Sequence, residues 1–106
     1  LSGADLSGAD LTGATLNSAN LNSATLNSAT LNGANLNSAN LTNANLYGTD
    51  LTNAYLNYAN LSGADLSGAD LTGATLSGAK INGITVTKAQ LVNLGALNTD
   101  TVIGIN

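Results

Sequence analysis

The sequence predicts an all-β coil, a β-solenoid, from three observations. Leucine returns every fifth residue from Leu1 to Leu76 without a miss, alanine stands two places before nearly every one, and the residues between are mostly Ser, Thr, Asn, Asp and Gly. Thr49 is the only departure from alanine up to Ala79, and Ile81, Val86 and Leu91 carry the ladder further. On a helix at about 100° per residue, leucines five apart step by roughly 140° and scatter around the axis. In a flat strand, side chains alternate, so Leu1 and Leu6 would face opposite ways. Neither regular structure buries the whole ladder.

A chain that runs extended through Ala-x-Leu and then turns a corner does bury it. Ala4 and Leu6 then point to one side with Asp5 outward, and Ser7-Gly8 makes the corner from residues suited to turns. Repeated turns of one hand stack coil on coil, with leucine and alanine inside and backbone paired to backbone. The number of sides stays open on this reasoning. Residues 1–15 recur unchanged as 61–75, an offset of 60 that three-sided and four-sided coils both allow.

The run LSGAD-LSGAD-LTGAT-LNSAN resembles the pentapeptide-repeat family, whose consensus is A(D/N)Lxx, and the likeness covers residues 1–90. The resemblance implies a right-handed, four-sided β-helix with twenty residues per coil. Residues 1–90 are therefore expected to form the β-helix and residues 91–106 a C-terminal cap and tail. At roughly 4.8 Å between paired strands, such a rod is only ~22 Å long. Each coil touches only its neighbours. The interior, filled with Leu and Ala, leaves no room for a ligand, so no cofactor is expected and function must lie outside.

Six aspartates face two lysines, with no histidine, and the net charge is −4. Two lysines neutralise few phosphates, which disfavours direct nucleic-acid binding. Without cysteine there are no disulfides or thiolate metal sites, and the compartment stays open. No apolar run approaches a membrane span and no signal peptide is visible, which slightly favours a cytoplasmic location. Because the chain opens directly on a repeat unit at Leu1, either residues have been removed upstream or that end is uncapped.

With twenty residues per coil, Asn17, Asn37 and Asn57 share a column and Asn20, Asn40 and Asn60 its neighbour. Such amide ladders can bond from rung to rung along the axis, which makes them a solvated face of self-satisfying amides, with a recognition surface as the alternative. Asp10, Thr30, Asp50, Asp70 and Gln90 share another column, and Asp5 and Asp65 the next one around. Asp50 and Asp70 would repel by about 0.9 kcal/mol at ~4.8 Å in water. As an exposed pair they lack the burial that splits carboxylate pKa values for catalysis. The column also lacks a loop that would gather calcium ligands.

Tyr47, Tyr55 and Tyr58 are the only aromatics, all at outward or corner positions, and Tyr55 and Tyr58 flank Leu56. Exposed aromatics on a polar rod are candidate contact anchors. With Asp10, Asp50 and Asp70 they form the candidate protein-contact set. Thr49 fits the small inward slot by volume, and its hydroxyl requires a backbone partner.

From residue 76 the pattern fades, with Ile84 in a small slot and Lys88 at a corner. Thr87-Lys88-Ala89-Gln90 reads as a capping box, followed by Leu91, Leu94 and Leu97 at a spacing of three. A short helix over residues 88–97 is expected to cover the open end of the coil. Val102 and Ile103 lie in a short strand or extended tail that leaves surplus apolar surface. An open edge with unshielded leucines at the other end predicts self-association, as a two-fold homodimer through one end.

The functional expectation is a non-enzymatic scaffold that presents flat polar faces to a protein partner. One alternative comes from the resemblance: some pentapeptide-repeat proteins mimic duplex DNA and occupy the DNA-binding saddle of type II topoisomerases. Another is ice or crystal-surface binding by a column such as Thr12, Asn32, Thr52 and Thr72, which Asn32 already breaks.

Overall fold

The computed structural model describes residues 1–86. Over that span the five-residue unit is a structural unit. In Leu1-Ser2-Gly3-Ala4 the Ala4 N–H donates to the Leu1 carbonyl at 2.9 Å, closing a turn whose third residue has φ +70°. Turns of this kind need a positive φ at the third place, which is why glycine recurs there. The same bond closes every unit as far as Ile84 N–H to Ile81, which is the longest at 3.4 Å.

Parallel bridges join residues twenty apart, from Asp5 with Thr25 to Asp65 with Thr85. The coil is therefore four-sided, as the family resemblance implied. The expected inside and outside also hold. The ladder from Leu21 to Ile81 is buried, as are the alanines from Ala24 to Ala79, and each outward residue is the one that pairs. Thr49 is fully buried, and its Oγ1 donates to the Leu26 carbonyl at 2.7 Å. Ile84 and Val86 pack against the core without being fully covered.

The outward Asp or Asn of the repeat follows from a count of backbone donors. In a typical unit the leucine, third-corner and outward N–H groups donate to a neighbouring coil, as Leu26 does to Asn45, Ser28 to Tyr47 and Thr30 to Ala9. The alanine N–H closes the turn. Only the N–H of the first corner residue is left over, and the side chain two places earlier accepts it. Asp10 Oδ1 takes the Thr12 N–H at 3.1 Å, and Asn40 Oδ1 takes that of Thr42 at 3.0 Å.

This accounting corrects the expected amide ladders. Asn20, Asn40 and Asn60 each spend their Oδ1 on the N–H two places ahead, in their own coil. Only the other column reaches between rungs, and it does so from side chain to backbone: Asn37 Oδ1 accepts the Asn57 N–H at 2.9 Å, and Asn57 Oδ1 accepts that of Ser77 at 3.0 Å. In those two units the outward residue is Tyr55 or Thr75, which offers no amide or carboxylate to its own corner.

The molecule measures 30 × 22 × 22 Å, longer than the ~22 Å that paired-strand spacing alone suggests. The expected cap and self-association residues Leu91, Leu94, Leu97, Val102 and Ile103 lie outside the described residues, as do the capping box and Gln90.

Candidate interaction surface

The four sides carry different chemistry. The first presents Asp5, Thr25, Asn45, Asp65 and Thr85; the second Asp10, Thr30, Asp50 and Asp70; the third Thr15, Asn35, Tyr55 and Thr75; the fourth Asn20, Asn40, Asn60 and Lys80. All carboxylates of the described residues thus fall on two adjacent sides. The third and fourth carry none.

Along the second side, Asp50 pairs with Thr30 on one side and Asp70 on the other, so two carboxylates do meet on adjacent rungs. Each is turned to its own corner. Thr52 Oγ1 donates to Asp50 at 2.7 Å and Thr72 Oγ1 to Asp70 at 2.6 Å. The Thr12 hydroxyl first, and then the Thr12 amide, hold the Asp10 carboxyl below the usual carboxylate range. Thr72 does the same for Asp70, and Ser7 for Asp5. Carboxylates held ionised by such bonds are poor proton carriers and good fixed charges. Among the described residues no group of three or more His, Cys, Asp or Glu is placed to hold a metal.

The three tyrosines are exposed, Tyr47 to 57%, Tyr55 to 49% and Tyr58 to 71%. They do not form one patch. Tyr47 stands at the corner between the first and second sides, Tyr55 on the third side, and Tyr58 at the corner between the third and fourth. Tyr47 and Tyr58 are thus on opposite corners of the same coil. The candidate contact set divides into Asp10, Asp50, Asp70 and Tyr47 on one flank, with Tyr55 and Tyr58 on the other.

Tyr58 has a feature that residue spacing alone does not reveal. It holds the third place of its turn at φ +62°, a place taken elsewhere among the described residues by Gly, Ser or Asn. For a bulky side chain this is an outlier. Its ring lies over the next coil, where a Cβ on Gly78 would fall 2.5 and 2.6 Å from ring carbons. Asn43 and Asn53 reach over Gly63 and Gly73 in the same manner, each with its side-chain oxygen where a Cβ would stand. The signal was present in the sequence as a large corner residue followed by glycine twenty places on, but it can be read only once the coil length is known.

These features define a class, the right-handed four-sided β-solenoids built from five-residue units. The family model for pentapeptide repeats matches in eight copies over residues 1–37, 19–57 and 50–87, and the chain belongs to that family. A solved structure similar to it is the pentapeptide repeat protein Rfr23 from the cyanobacterium Cyanothece 51142. The two are 37% identical, with a TM-score of 0.67 over 79% of this chain and 54% of that one. The chain thus spans about half the length of Rfr23. The pentapeptide repeat protein alr5209 from Nostoc Pcc 7120 is 30% identical, with a TM-score of 0.61 over 78% of this chain and 84% of its own. A pentapeptide repeat protein from the thylakoid lumen of Arabidopsis thaliana is 29% identical, with a TM-score of 0.51 over 91% and 77%. Among curated proteins no match is found. Proteins of this family are in general structural or interaction proteins.

Proposed function

We propose that the chain is a non-enzymatic scaffold whose protein partner docks on the third side and its far corner, against Tyr55 and Tyr58. The observation that carries this is Tyr58 itself. A left-handed backbone costs an ordinary residue about 1–2 kcal/mol, and glycine is used at ten other corners of the described residues. Tyr58 is nevertheless 71% exposed at such a place, so most of its ring is left to meet something outside the fold. Strain of this kind is a pointer to function. Tyr55 lies on the third side three positions before Tyr58 at its far corner, so both rings are available to one flat partner.

The test is affinity capture with the intact chain as bait, set beside the Tyr58→Gly, Tyr55→Ser and Tyr47→Ser variants. The partner should be lost with Tyr58→Gly and Tyr55→Ser and kept with Tyr47→Ser. Because Tyr58→Gly relieves strain, loss of capture cannot be blamed on unfolding. Retention by all three variants would refute the proposal.

Mimicry of duplex DNA is less well supported. Five aspartates against Lys80 leave −4 along 30 Å, about one charge per 7.5 Å, whereas duplex DNA carries one per ≈ 1.7 Å. Inhibition of supercoiling by a type II topoisomerase, abolished by Asp10→Asn, Asp50→Asn and Asp70→Asn together, would favour that reading instead. Self-association belongs to the proposal as well. A strictly monomeric mass in light scattering at high concentration would remove that part.

A further inference from the structure

The chain contains two Asn-Gly pairs, Asn32-Gly33 and Asn82-Gly83. Each fills the two corner positions of its unit, with glycine at φ +67° and +68°. This pair can react with itself, because the glycine nitrogen approaches the asparagine Cγ without a side chain in its way. An N–Cγ bond forms, the Cγ–Nδ2 bond breaks, and the amide proton leaves with the carboxamide nitrogen as ammonia. Water then opens the resulting succinimide at either carbonyl, leaving aspartate or isoaspartate. No oxidant or reductant is involved. Two freedoms govern the rate: that of the glycine N–H, which must be lost, and that of the carboxamide, which must swing onto it.

At Asn32 both are taken. The Gly33 N–H donates to the Thr52 carbonyl at 2.9 Å, and Asn32 Nδ2 donates to Thr52 Oγ1. The residue is half-buried between coils. The Asn-Ser corners are restrained in the same way. The N–H groups of Ser18, Ser23, Ser28 and Ser38 each donate to a carbonyl of the next coil at 2.8–2.9 Å.

Asn82 is different. It is exposed, and among the described residues neither its carboxamide nor the Gly83 N–H has a hydrogen bond. Its carbonyl accepts the Gly63 N–H at 2.8 Å, a bond that restrains neither reacting group. We propose that Asn82-Gly83 is a site of spontaneous deamidation and isoaspartate formation, while Asn32-Gly33 is protected by the coil stacked on it. Modification adds a negative charge beside Lys80. In its isoaspartate form it lengthens the backbone by one carbon at the corner that receives the Gly63 N–H, which loosens that rung.

The full chain is incubated at neutral pH and body temperature in buffer and, in parallel, in concentrated urea, then digested with trypsin. Cleavage at Lys80 and Lys88 releases Asn82 in the short peptide from Ile81 to Lys88 and leaves Asn32 in the long fragment, which a second protease divides. In buffer the short peptide should acquire the aspartate and isoaspartate forms at a rate exceeding that at Asn32 roughly tenfold or more, since conversion at Asn32 gives up two hydrogen bonds. In urea the two rates should converge. Equal rates in buffer would overturn the proposal, as would an intact Asn82 in buffer with conversion in urea, or no conversion in urea at all.

Discussion

Each position of the repeat answers one local requirement, and the exceptions show which requirement is strongest. Thr49 is admitted to an alanine slot because its hydroxyl finds the Leu26 carbonyl. That carbonyl already accepts the Ala29 N–H at 3.0 Å, so Thr49→Ala strands no polar group and should change stability by less than about 1 kcal/mol in thermal denaturation. Ala34 is fully buried with no such slack. Ala34→Leu should overfill the slot and cost ~1–3 kcal/mol by the same measurement. At the surface, hydrogen bonds from Ser7, Thr12 and Thr72 lower the pKa values of Asp5, Asp10 and Asp70 below the ordinary 3.8. A carboxylate with a depressed folded pKa stabilises the fold above its unfolded value and loses that contribution as pH falls through the folded one. The melting temperature should therefore be nearly flat from neutral pH down to about pH 4 and fall below it. Replacing Thr12 by Val should move the Asp10 titration, followed by carboxyl NMR, back toward the ordinary value.

At the scale of the turn, backbone conformation sets sequence preference. Seven corners hold a non-glycine residue at φ of 59–62°. The left-handed conformation costs about 1–2 kcal/mol, and the added freedom of glycine in the unfolded chain costs about 0.5–1 kcal/mol. Strain outweighs that freedom. Replacing Ser18, Ser28 and Ser38 by Gly together should stabilise the protein by ~1–3 kcal/mol. Turns are also linked along the axis, because a large corner side chain requires a bare corner on the next coil. Gly78→Ala should be destabilising by ~1–3 kcal/mol from its own φ of +69° and from collision with the Tyr58 ring. In a double-mutant cycle, Tyr58→Ser should recover the part due to collision. Additive effects of the two changes would mean that the ring moves aside freely.

At the scale of the whole molecule, the coil is the unit of exchange. Excising residues 21–40 removes one full turn and places Leu6 where Leu26 stood beneath Thr49, so a shorter rod should fold with every column intact. Removing residues 41–45 keeps the leucine ladder but turns every later column by one side, setting Tyr58 beneath a different corner column and bringing unmatched corners together. That chain should melt lower than the twenty-residue deletion, although it loses less. Equal melting temperatures would show that only the inward ladder sets register. By itself, the sequence determined the five-residue unit, its inward and outward positions, the corner, and the need of Thr49 for a partner, because each follows from burial and donor count within a few neighbouring residues. Family resemblance supplied the fourth side, and bridges between residues twenty apart are what establish it here. Only the tertiary structure decided that Asn20, Asn40 and Asn60 serve their own corners, that Tyr47 and Tyr58 stand on opposite corners, and that, among the described residues, Asn82 lacks the restraint of Asn32. These are relations between coils, and the coil length that sets them repeats at four units, a multiple that the five-residue pattern cannot itself distinguish from three.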